Sequence, residues 1–143
     1  MSGTPPIQLR VLHRAACLLL LVVVTCCSER YSAPAPPEGL LADPAHQVAG
    51  RTLFQKHCAS CHGGLEEGRL PTASTYSPPP ATLTHPRYRT LDPAYLYWRI
   101  SEGNRVEPYR SRGSVMPAWG PHLAEEEIWQ LVAYLRIRPA ASR

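Results

Sequence analysis

Two cysteines three residues apart, with a histidine directly behind the second, stand out as chemistry: Cys58-Ala59-Ser60-Cys61-His62. Such a pair can serve as a disulfide switch, as half of a zinc site, or as the point where a haem is attached to the chain. A structural zinc site takes four ligands, usually as two closely spaced pairs. Of five cysteines, Cys17, Cys26 and Cys27 lie in the apolar N-terminal region, which leaves this one pair to the rest of the chain, and His46, His85 and His122 are scattered along it. A thioredoxin-like dithiol follows a strand and opens a helix, whereas this pair ends a helical pattern.

Haem fits the local geometry better. In a helical turn residues 58 and 61 are i, i+3 and project from the same side. Both thiols can then add to the two vinyl groups along one porphyrin edge, with His62 under the ring and an imidazole nitrogen toward iron. C-x-x-C-H is the attachment pattern of c-type haem. The iron's other side needs a ligand as well. Apart from the initiator, the chain has one methionine, Met116, in the irregular segment SVMPAWG. A soft, neutral thioether favours ferrous iron and raises the potential. Cys58, Cys61, His62 and Met116 are therefore the expected cofactor-binding residues, with His62 and Met116 on the iron. His85 and His122 are the alternative sixth ligands.

Three helices are expected to position these residues. Asp43-Pro44 offers an N-cap followed by proline at the first helical position, and AHQVAGRTLFQKH then leads into the cysteine motif. Gly50, Phe54 and Cys58 recur every four residues and share a face. Glycine weakens a helix by about 1 kcal/mol relative to alanine, so Gly50 implies the close approach of another helix. A second pair, Asp92-Pro93, opens AYLYWRISEG, which ends at Gly103 and turns Leu96 and Ile100 inward. In AEEEIWQLVAYLRI the spacing of Ile128, Leu131, Val132 and Leu135 is that of a buried stripe. Between the first two helices runs a loop with prolines at 71, 78, 79, 80 and 86, which oppose regular structure. A loop of that length is expected to wrap something. No segment reads as a strand, so the fold class is all-α.

The rest of the chain speaks to place and partners. MSGTPPIQLRVLHRAA is basic and free of acids, and the apolar run Ala15 to Cys27 covers thirteen residues, against the ~20 needed to span a bilayer. That is the pattern of an export signal, and Cys26 and Cys27 at its end leave a lipid anchor, ordinary cleavage and an uncleaved anchor open. Residues 1–27 are thus read as signal or anchor. Residues 28–42, rich in proline and alanine, read as a solvated tether, 43–139 as the folded domain, and 140–143 as a tail. A domain this small gains much from a large apolar insert. The net charge of +4 falls to +2 once Arg10 and Arg14 are set aside, which excludes the concentrated positive charge of a nucleic-acid binder. Six arginines lie between 87 and 112, at 87, 89, 99, 105, 110 and 112, and suggest a docking face.

Gly50-x3-Phe54-x3-Cys58-x2-Cys61-His62, then Met116-Pro117, then Trp129-x-Leu131-Val132-x-Tyr134-Leu135 resemble a class I cytochrome c over about 45–137. The YLYWRISEG and MPAW segments are similar to the small bacterial cytochrome module of cbb3-type oxidases. The resemblance implies that the first and last helices cross near Gly50, with Phe54 and Tyr134 at the contact. It also implies a proline carbonyl, from Pro71 or Pro80, accepting the His62 ring N–H. Ala124 departs from the usual Ser, Thr or Asp cap, at a cost of about 1 kcal/mol.

The expected function is one-electron transfer by a single covalently bound haem c with His/Met ligation, and not enzymatic turnover. The alternatives are a haem c subunit of a larger oxidoreductase complex, or a peroxidase-like enzyme if the sixth position is open. Donor and acceptor redox proteins are the expected partners. The expected place is the periplasmic side of the bacterial cytoplasmic membrane, with the N-terminus associated to it, in a respiratory chain.

Overall fold

Two of the helices start in the same way, from an aspartate that bonds back to the chain just beyond a proline. The Asp43 carboxylate accepts from the Ala45 amide at 2.8 Å and opens α1, Pro44–His57. The Asp92 carboxylate accepts from the Ala94 amide at 2.8 Å and opens α3, Pro93–Glu102. Between them, the single turn α2, Ala59–His62, follows Cys58 directly. The last helix, α4, is Glu125–Ile137. These are the elements of a computed structural model that describes residues 31–65 and 67–138. The signal or anchor reading of 1–27, the first residues of the tether and the tail at 140–143 lie outside the described residues. Among the described residues there is no strand, and no helix is long and apolar enough to cross a membrane.

Ala124 has no side-chain oxygen to cap α4. The Glu127 carboxylate supplies the reciprocal bond instead, accepting from the Ala124 amide at 2.8 Å. Half of a capping box is therefore present, and three glutamates in the first turn complement the helix dipole.

The core forms around α4. Ile128, Trp129, Leu131, Val132, Ala133, Tyr134 and Leu135 are all buried, a wider set than a one-sided stripe. α1, α3, the turn Leu40–Ala42 and the turn Pro86–Arg89 all pack against the helix. α1 crosses it at Gly50, where an added Cβ would run into the Gln130 carbonyl and touch the Tyr134 Cβ at 3.0 Å. One turn on, Phe54 packs against Tyr134 with ring centroids 5.4 Å apart. Both the close approach and the aromatic contact are as the sequence implied.

Two expectations change. The sequence implies a solvated tether over 28–42, whereas residues from Tyr31 onward belong to the folded unit. The Tyr31 hydroxyl donates to Asp92 at 2.5 Å, and its ring lies 5.6 Å from Tyr95. Leu40 is 3% exposed. A few apolar side chains dock this segment without any helical or strand period, which is why the pattern does not show it. The proline-rich loop also carries two short 3-10 turns, Pro71–Thr75 and Pro86–Arg89. Each begins at its proline, whose fixed φ suits the first position of a turn.

Gly50→Ala separates helix propensity from packing. On an open helix face the change would stabilise by about 1 kcal/mol. At this crossing it is expected to destabilise by about 1–3 kcal/mol through overpacking, read as a lower midpoint in denaturant unfolding.

Candidate functional site

Cys58, Cys61, His62 and Met116 line one cavity of about 310 Å³, together with apolar residues that include Phe54, Leu96, Ile100, Leu131 and Leu135. That volume falls among ordinary small-molecule and cofactor sites, roughly 300–1,000 Å³. Leu96 and Ile100 of α3 and Leu131 and Leu135 of α4 form the apolar back of the cavity, and three further parts of the chain complete it. The end of α1 and the turn α2 bring Cys58, Cys61 and His62. The long loop contributes Pro78, Pro79, Pro80, Ala81 and Leu83, so it does wrap around the site. The segment after α3 brings Met116.

Met116 is held by its own backbone. Its carbonyl accepts from the Asn104 amide at 2.9 Å, and its amide donates to the Ser114 hydroxyl at 3.4 Å. The residues after it continue along α3: the Trp119 amide donates to the Ile100 carbonyl at 3.1 Å and the Gly120 amide to the Ser101 carbonyl at 3.0 Å. This docking needs Gly103. Its φ is 53°, and a Cβ there would collide with the Pro117 carbonyl and sit 2.6 Å from the Ala118 nitrogen. A residue that ends a helix in the sequence thus also clears the path for Met116.

The His62 ring donates from Nδ1 to the Ala81 carbonyl at 2.9 Å. A carbonyl can only accept, so Nδ1 carries the proton and Nε2 keeps its lone pair. This corrects the expectation of a proline acceptor at 71 or 80. The Pro80 carbonyl instead accepts from Arg69 at 3.1 Å, and the register of the Pro78–Ala81 run presents the next carbonyl to the histidine. Burial pushes the imidazole below its ordinary value, outweighing the Ala81 bond, and Arg138 and Arg99 push the same way. Both the lowered basicity and the committed Nδ1 favour the neutral ring with Nε2 open, the form in which an imidazole ligates a metal.

The two thiols are free. Burial pushes the Cys58 thiol up to about 12, against the pull of Arg138. A redox-active dithiol depends on a depressed thiol pKa, and the surroundings of Cys58 act in the opposite direction. Among the described residues no group of three or more His, Cys, Asp or Glu side chains could hold a metal ion.

The alternative ligands sit elsewhere. Neither His85 nor His122 lines the cavity; the His85 Nδ1 accepts from the Arg87 amide at 3.2 Å and caps a turn. His57 at the end of α1 does line it, a position its spacing in the sequence does not reveal, and its ring is 5.1 Å from Trp119. The arginine group divides as well. Arg99 points inward, its guanidinium 3.7 Å from the Tyr109 ring and bonded to the Gly103 carbonyl and Ser114. Arg110 is paired with Glu107 at 3.0 Å, Arg89 donates to the Arg138 carbonyl at 3.3 Å, and Arg105 borders a separate, shallower pocket. Only Arg87 and Arg112 are both exposed and on the cavity. Linear spacing could not make that distinction. With Arg99 they place three cations around a cavity that no described carboxylate lines.

Comparison with known proteins agrees with this arrangement. The family model described as cytochrome c oxidase, cbb3-type, subunit III matches residues 45–135. Two similar proteins are the cbb3-type cytochrome c oxidase subunits CcoP of Azospirillum brasilense and of Azospirillum sp. (strain B510). They are 31% and 30% identical, over 65% and 68% of this chain. A chloroplastic cytochrome c6 of Chlamydomonas reinhardtii is 29% identical over 66% of this chain and 55% of its own length. The alignments cover only 28% and 30% of the two CcoP proteins, so the chain spans under a third of those relatives. The match takes in both helix ends, the cysteine motif and the Met116 segment, and the chain belongs to the cbb3-type cytochrome c oxidase subunit III family, within the class I cytochromes c.

Proposed function

We propose that this domain is a one-electron carrier in which Cys58 and Cys61 hold a single haem c by thioether bonds, with His62 and Met116 as axial ligands of its iron. The observation that carries this reading is the convergence of two thiols, a neutral imidazole with Nε2 free and a thioether on one largely apolar cavity. The donor set fits the group: thioether with histidine is the ligand pair of electron-transferring cytochromes c. When bound, haem supplies reversible one-electron exchange. The protein's residues bind, orient and tune it. Ala81 fixes the ring of His62, Ser114 and Asn104 fix the backbone of Met116, and the apolar walls keep water from the iron. Arg87, Arg99 and Arg112 suit a guest that carries carboxylates. A site ligated on both sides leaves no position for peroxide, which supports a carrier over an enzyme.

The names of the Azospirillum relatives support a second level of the proposal, that the domain works as part of a respiratory oxidase complex. In this reading the basic, apolar start of the chain (Met1 to Cys27) exports the domain and holds it at the periplasmic side of the cytoplasmic membrane, with redox proteins as donor and acceptor. Comigration of the haem-stained chain with an oxidase on native gels of bacterial membranes tests this level. A chain that migrates alone would make it a free shuttle.

The attachment is tested by denaturation. Unfolded wild type is expected to retain haem, with a mass exceeding the processed chain by one haem, and Cys61→Ser is expected to keep at most a single link. Extraction of the haem by acidic organic solvent from wild type would overturn the covalent reading.

The sixth ligand is tested by spectroscopy. Met116→Ala is expected to lose the weak far-red sulfur-to-iron band of the oxidised protein and to lower the potential. His85→Ala and His122→Ala are expected to change neither. An unaltered Met116→Ala spectrum would place the ligand elsewhere.

The rim charge is tested by an anionic probe. With Arg87 and Arg112 both changed to Glu, oxidation of the reduced protein by the ferricyanide anion should slow several-fold at low salt, since complementary charge acts on encounter. The difference should fade above about 0.15 M salt, where the Debye length is about 8 Å. Changing Arg105 and Arg110 to Glu should have a smaller effect, and equal effects of the two pairs would remove any special role for the rim.

A further inference from the structure

Among the described residues Arg138 is the one charged side chain buried from solvent, at 1% exposure. It follows α4, its amide donating to the Tyr134 carbonyl at 2.9 Å. Its guanidinium reaches into the turn that follows His62. Nε donates to the Leu65 carbonyl at 3.2 Å, and Nη2 donates to the carbonyls of Gly63 at 3.3 Å, of Glu67 at 3.0 Å and of Gly64. The other face of the group lies 4.3 Å from the centre of the Phe54 ring, and Phe54 lines the cavity beside Cys58. Nη1 has no hydrogen-bond partner, and no described carboxylate forms an ion pair with the group.

A buried cation held only by carbonyl dipoles is costly and is usually matched by an anion. Here no described carboxylate offsets the charge, and the group grips the carbonyls of residues 63–65 and 67 and packs on a wall of the cavity. Lysine could not replace the contact in full, because the planar fork of arginine is what meets several carbonyls at once.

Resting on the haem reading above, we propose that Arg138 is a positioning residue of the redox centre whose buried charge raises the reduction potential. Its fork fixes the turn behind His62. Oxidation adds one positive charge at the iron, and a nearby cation in a poorly screened interior disfavours that state. Burial and local charge are among the levers by which a protein sets a haem potential.

Arg138→Gln removes the charge and keeps donors for the carbonyls, while Arg138→Lys keeps the charge and loses the fork. Both are read as purified, haem-loaded protein by redox titration. At the wild-type midpoint, the Gln variant should show an oxidised-to-reduced ratio at least threefold above wild type, tenfold being 59 mV for one electron. The Lys variant should stay within twofold of wild type, and both should keep the far-red band of the oxidised protein. An unchanged ratio in the Gln variant, a Lys variant that shifts as far as Gln, or loss of the band in the Gln variant would each overturn the proposal. If Gln fails to load, Arg138→Met is titrated in its place under the same criteria. Failure of both neutral variants while Lys loads with the wild-type ratio supports a required charge; failure of Lys to load as well overturns it. Wild type without covalent haem would instead undo the earlier reading, before any variant is compared.

Discussion

The crossing of α1 over α4 at Gly50 is the contact on which the remaining structure depends. With no side chain at 50, the α1 backbone can approach Gln130 and Tyr134 closely. That approach brings Phe54 against Tyr134 one turn later. It also sets where α1 ends, and α1 ends at the cysteine motif. A wider crossing would move Phe54, Cys58 and the turn after His62 away from Leu131 and Leu135, which form the other wall of the same cavity. Stability and site geometry therefore share one contact. Full burial of side chains such as Phe54, Ile128 and Leu131 contributes about 1.5–3 kcal/mol each, and most of that burial surrounds this crossing.

The charges of the domain are arranged asymmetrically about the cavity. Its lining includes three arginines and no described acid, while the glutamates of α4 sit in the first turn of that helix. Arg99 is not wasted on solvent: Tyr109 stacks on it and the Tyr95 hydroxyl bonds Tyr109 at 2.8 Å. Burial, followed by the Tyr109 bond, pushes the Tyr95 phenol up to about 12. The neutral aromatic surround leaves the cation unneutralised. Positive charge on the cavity and behind His62 biases the site toward its less oxidised state.

Much of the architecture is readable from local signals, because those signals are local in cause. Asp43-Pro44, Asp92-Pro93 and Gly103 mark helix ends through bonds made within a few residues, and all three do so here. The apolar stripe of α4 and the need for close approach at Gly50 follow from helical geometry alone. The residues that eluded the sequence act over distance. Ala81 meets His62 through a carbonyl, which every residue has, so nothing in its side chain announces the role. Arg99 and Arg138 look like surface arginines in a chain with one lysine and fourteen arginines, and only the fold turns them inward. Tyr31 and Leu40 dock by single side chains inside a proline-rich stretch that has no period to detect.

The two helices that meet at Gly50 lie near opposite ends of the domain, and this orders events in time. α1 finishes at His57 and its partner begins at Glu125, so the crossing closes a loop of roughly seventy residues, an entropic cost that grows only as the logarithm of length. Until the thirteen residues of α4 are present, the first helix has no surface to bury against. A chain that emerges from its N-terminus therefore presents both cysteines on an open stretch for as long as the rest is arriving. The cavity cannot be complete before Leu131 and Leu135, which line it, have been made. Contacts between distant parts of a sequence come at the cost of closing the loop between them, and until this loop closes both thiols stay open to solvent and to any reagent.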